Sequence, residues 1–64
     1  MHCTDIGEAR EALKYLRGFE VEAEIYERVD HTGIVKYWLG PLADRGETVY
    51  IPATIKAVEK FMQE

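Results

Sequence analysis

The chain reads as a small α+β domain in the order α-β-β-β-α: a three-stranded antiparallel meander with two helices packed on one of its faces. Three observations point there. Apolar residues recur at helical steps near both ends of the 64 residues, they alternate with polar residues through the middle, and turn-forming residues separate the alternating runs.

The first helix is predicted over 4–17. Ile6, Ala9, Leu13 and Leu16 form an apolar stripe with Ala12 beside it, and the opposite face is charged. Thr4 or Asp5 suits the N-cap, with Glu8 completing a capping box after Asp5. Gly18, following Lys14 and Arg17, reads as a left-handed stop. From Phe19 the period becomes two: Phe19, Val21, Ala23, Ile25 and Val29 take one side, and Glu20, Glu22, Glu24 and Arg28 the other, which predicts a half-buried strand over 19–29. A second strand, 34–39, follows Asp30-His31-Thr32-Gly33. A third, 48–51, follows the turn-like Gly40-Pro41 and Asp44-Arg45-Gly46. Pro52 suits a first helical position, and Ile55, Val58 and Met62, flanked by Phe61, predict a closing helix over 53–63.

The first hairpin sets which way Trp38 points. A loop of two or four residues turns Trp38 inward with Ile25. The three-residue loop His31-Thr32-Gly33 instead pairs Asp30 with Ile34, Tyr26 with Trp38 and Ile25 with Leu39, because one step of register moves every side chain to the other face. Three-residue hairpins end on a left-handed residue, and Gly33 stands there, which favours the second register. Val29, Val35, Ile25, Leu39, Val49 and Ile51 then face the helices, with Glu27 opposite Tyr37 at the margin. The far side carries Glu20, Glu22, Glu24, Tyr26, Arg28, Ile34, Lys36, Trp38, Thr48 and Tyr50, and no predicted segment is left to cover it.

Composition narrows the function classes. Twelve acidic against eight basic residues give a net charge of −4, which argues against broad, sequence-independent phosphate binding. One cysteine permits no internal disulfide and suits a reducing, cytoplasmic setting. No run approaches the roughly 18 apolar residues of a membrane span, and Met1 to Asp5 lack the character of a signal peptide, so 1–64 is read as one domain away from membranes. His2 and Cys3 read as a frayed terminus and His31 as a turn residue. With the five glycines scattered, no metal set, phosphate loop or catalytic constellation emerges, so no cofactor and no enzymatic activity are expected.

Two uses of the surface follow. Tyr26, Trp38 and Tyr50, with Ile34 at the margin, form an exposed aromatic patch of the composition found in binding hot spots. The row Glu20, Glu22 and Glu24 adds either a steering surface for a basic partner or protection of a sheet edge from aggregation. The expected partner is another protein or a second copy of the chain, as for a small regulator or inhibitor; aromatic pairs that merely stabilise the sheet are the simpler reading. The alternative is nucleic acid. The element order is similar to that of double-stranded-RNA-binding domains, and Arg10, Lys14 and Arg17 line one flank of the first helix. Such domains carry a lysine run at the second helix, where this chain has only Lys56 and Lys60 around Glu59, so this reading ranks second.

Overall fold

Asp5 starts the first helix by accepting a hydrogen bond from the Gly7 amide at 3.0 Å, which satisfies one of the donors a helix leaves open at its N-terminus. This is a computed structural model, and it describes residues 2–63. Five elements follow in order: α1 (Ile6–Arg17), β1 (Glu24–Val29), β2 (Val35–Asp44), β3 (Glu47–Pro52) and α2 (Ile55–Met62). The strands form one antiparallel sheet in the order β1-β2-β3. The α-β-β-β-α fold is therefore as its sequence pattern predicts.

The first hairpin takes the three-residue register. Ile25 pairs with Leu39, Tyr26 with Trp38, Glu27 with Tyr37 and Val29 with Val35. Gly33 has φ +86°, where a Cβ would crowd the backbone, and it holds the left-handed end of the loop. Asp30 sets the turn from the other side. Its Oδ1 accepts from the Thr32 amide at 2.8 Å, the Thr32 hydroxyl at 2.6 Å and the Ile34 amide at 3.0 Å.

Several boundaries differ from the sequence pattern. Gly18 is right-handed, at φ −62°, and the left-handed residue is Glu20, at φ 63°. The helix unwinds through Phe19 and Glu20, whose amides donate to Leu16 and Arg17 carbonyls at 3.0 and 2.9 Å. Phe19 to Ala23 therefore lie outside the sheet, and β1 begins at Glu24 rather than at 19. Phe19 is exposed and packs its ring edge-on against Tyr15 at 5.3 Å. The Gly40-Pro41 segment is no turn. β2 runs through it to Asp44 with a shift of register against β3 between Leu39 and Leu42, and the peptide bond is cis. The one extra residue brings Leu42 back to the inner face. Arg45 and Gly46, both at positive φ, make the tight turn into β3. Pro52 ends β3 opposite Trp38 instead of opening the last helix. Thr54 is the N-cap there, its hydroxyl accepting from the Ala57 amide at 3.0 Å.

The core lies between the sheet and both helices. Leu16 from α1, Leu39 from β2, Val58 from α2 and Cys3 are its largest fully buried side chains, closed by Ala9, Ala12, Ala23, Leu42 and Ala53. Alanines dominate because the helices approach the sheet closely. Cys3 corrects the expectation of a frayed terminus: its carbonyl accepts from the Tyr37 amide at 2.8 Å, extending the β3 side of β2 by one bridge. Helix cover ends short of the first hairpin, so Val29, on the inner side, stays 56% exposed. No helix among the described residues is long and apolar enough to cross a membrane.

Candidate interaction surface on the open sheet face

The register places Tyr26, Trp38 and Lys36 on the side of the sheet away from the helices, and β3 adds Tyr50 to the same side. Tyr26 and Tyr50 are about half exposed, at 51% and 47%, and Trp38 is half-buried. Tyr26 and Tyr50 stand on opposite edge strands, two strand spacings or about 10 Å apart. Their ring centroids are nevertheless 5.5 Å apart. Gly40 makes this approach feasible. It lies on the central strand between them, and a Cβ there would fall within 3.0 Å of Cγ, Cδ2 and Cε2 of Tyr50. The missing side chain is the slot into which Tyr50 leans to reach Tyr26. On the other flank His2 meets Trp38 edge-on at 5.9 Å.

Charge is distributed unevenly along this face. Towards the first hairpin lie Arg28 and Lys36, directly paired across the strands, with Lys36 Nζ 3.3 Å from Asp30 Oδ2. No ion pair engages Arg28 among the described residues. Arg28, Asp30, His31 and Lys36 border a shallow groove that reaches Trp38. The opposite end carries Glu24 and, one alternation earlier, the exposed Glu22. The Thr32 hydroxyl holds the Asp30 carboxyl well below the usual carboxylate range, opposed by desolvation, the second-largest influence, and assisted by the Ile34 and Thr32 amides and Lys36.

The expected site residues are thus brought together only in part. Tyr26, Trp38 and Tyr50 converge. Ile34 is 49% exposed but stands four residues, about 13 Å, along the chain from Trp38, at the hairpin margin. Of the glutamate row, only Glu24 belongs to β1. Glu22 continues its alternation from outside the ladder, and Glu20 sits in the turn after α1. The row of three on one strand face does not form, because the end of α1 takes up the residues that the alternating pattern assigned to the strand. Arg10 and Lys14 are exposed on α1, whereas the Arg17 guanidinium donates to the Ala23 carbonyl at 3.3 Å and ties down the segment leading to β1.

Three features were missed in the sequence. Gly40 was a turn residue by composition, although a Gly-Pro step inside an otherwise β-rich run is also the mark of a bulge. The contact of His2 with Trp38 depends on the single bridge at Cys3 and leaves no periodic trace. The Cys3 thiol donates to the Asp5 carbonyl at 3.2 Å, and burial pushes its pKa up, so it is a packed side chain and not an activated nucleophile. Among the described residues no three His, Cys, Asp or Glu side chains gather as a metal set. Comparison of the chain with protein-family models, with curated proteins and with solved structures finds no match.

Proposed function

We propose that the protein is a non-enzymatic interaction module that binds a protein surface through the open face of its sheet. The observation that carries this reading is the contact of Tyr26 with Tyr50 across the side-chain-free Gly40, beside the half-buried Trp38. Large aromatic rings held in fixed positions lose little side-chain entropy on binding and supply most of the energy at protein contacts. Glu22 and Glu24 at one end and Arg28 at the other supply a polar rim that selects a partner by charge. The lone, buried thiol suits a reducing compartment, and the cytoplasm is the proposed location.

Affinity capture from extracts of the producing cells tests this reading, using the intact chain, a Tyr26→Ser/Tyr50→Ser variant and an Arg10→Ala/Lys14→Ala variant as baits. The reading expects a protein retained by the intact chain and the helix variant and lost by the tyrosine variant. Retention by the tyrosine variant, with loss in the helix variant, overturns it and points to the α1 flank instead.

A further inference from the structure

The charge layout of the open face is self-complementary, and we infer that its occupant is a second copy of this chain, related by a two-fold axis that lies between the two faces and runs across the strands. The inference rests on the reading of this face as a protein-binding surface and names the partner.

The argument starts from three outward positions of β1. Glu24, Tyr26 and Arg28 alternate along one side of the strand. Glu24 and Arg28 are about 13 Å apart, too far to neutralise one another within a protomer. A two-fold contact uses one patch twice, so every group must meet a complement that belongs to the same patch. Two kinds of axis stack the faces. An axis parallel to the strands lays the Arg28/Lys36 end on the partner's Arg28/Lys36 end, bringing like charges together. An axis across the strands reverses the partner end for end. Arg28 of each protomer then faces Glu24 of the other, and the Tyr26/Trp38 pair, midway between them, meets its own copy. Only the second arrangement buries the aromatic centre while pairing both charged ends. Sheets stacked face to face lie about 10 Å apart, within reach of an arginine and a glutamate extended towards each other.

Area sets the strength. Three strands at about 4.8 Å spacing and six residues at about 3.3 Å rise present roughly 300 Å² per protomer before side-chain relief. Both sides together fall below the roughly 1,200 Å² of a standard stable interface, so the dimer is a weak, exchanging one.

Sedimentation equilibrium of the full chain over a wide concentration range, at low salt, tests this directly. The intact protein is expected to rise from its monomer mass of 7.4 kDa towards twice that value. Glu24→Arg leaves arginine at both outward ends of β1, and Arg28→Glu leaves glutamate at both. Each substitution enters the interface twice, and each variant alone is expected to dissociate at least about tenfold more readily. Mixed in equal amounts, the two variants restore every opposite-charge pair and are expected to associate at least as well as the intact chain. That recovery also shows that both variants are folded. A monomer at every concentration overturns the inference, as does a mixture no stronger than its components. If the intact chain stays monomeric while the tyrosine-dependent capture described above succeeds, the second copy is excluded and the binding face stands; if both fail, both fall.

Discussion

The inner face of the sheet sets Leu39 and Leu42 beneath Ala9, Ala12, Leu16 and Val58, whereas the outer face carries Tyr26, Trp38 and Tyr50 with no described element above them. The two faces share one backbone and differ in side-chain size. Small aliphatic residues let the helices come close, and the large rings stand where no described helix or strand covers them, their ring contacts made to one another and to His2. A domain of this length buries only about 60% of the surface exposed by its unfolded chain. Placing much of its aromatic area outside that core supports the proposal that the inner face holds the fold while the outer face is left to meet partners.

Substitutions that separate these roles test the comparison, beginning with the largest effect. Leu39→Ala, at a fully buried site, is expected to cost about 2–5 kcal/mol in urea unfolding and to abolish association only by unfolding the chain. Gly40→Ala forces the Tyr50 ring out of its slot and is expected to cost about 1–3 kcal/mol. Its signature is loss of Tyr26–Tyr50 ring-to-ring nuclear Overhauser contacts, and contacts that persist would mean that Gly40 does not position the ring. Gly33→Ala, at φ +86° with nothing within 4 Å, tests backbone strain alone and is expected to cost about 1–2 kcal/mol. Tyr26→Ala is expected to change stability by no more than about 1 kcal/mol while weakening association. A loss of several kcal/mol there would make the outer face part of the structural core.

Acid titration probes the exposed hairpin end. The Asp30 carboxyl is lowered in the folded state, so its contribution is full above the ordinary aspartate range and is lost as pH falls through that range towards its folded pKa. Asp30→Asn is therefore expected to flatten stability against pH below about 4, the usual aspartate value. An unchanged acid profile contradicts the role given to Asp30.

Much of this architecture was legible in residue order because its signals are local. Asp5 caps α1, and the loop ending in Gly33 fixes a register that turns Trp38 outward with Tyr26. The acidic row was legible only in part: alternation is blind to the turn in which α1 ends, so Glu20 looks like a strand residue until its φ of 63° removes it. Gly40-Pro41 is compatible with a turn and with a bulge, and only the pairing of Leu39 with Ile51 and Leu42 with Val49 distinguishes them. The anchoring of Cys3 beside Tyr37 joins residues far apart in the chain, which periodicity does not register.

Trp38 is the only tryptophan, and it stands at the centre of the outer face, so its fluorescence reports on that face without modification. Acrylamide quenching measured against protein concentration, alongside the sedimentation mass, is the most direct test that the aromatic face is the contact surface. The account predicts that quenching falls in step with the rise in mass as the indole is shielded. A rising mass with unchanged quenching would place the contact elsewhere and contradict it, whereas an indole equally accessible and a mass equally monomeric at every concentration would exclude the second copy as the occupant of this face.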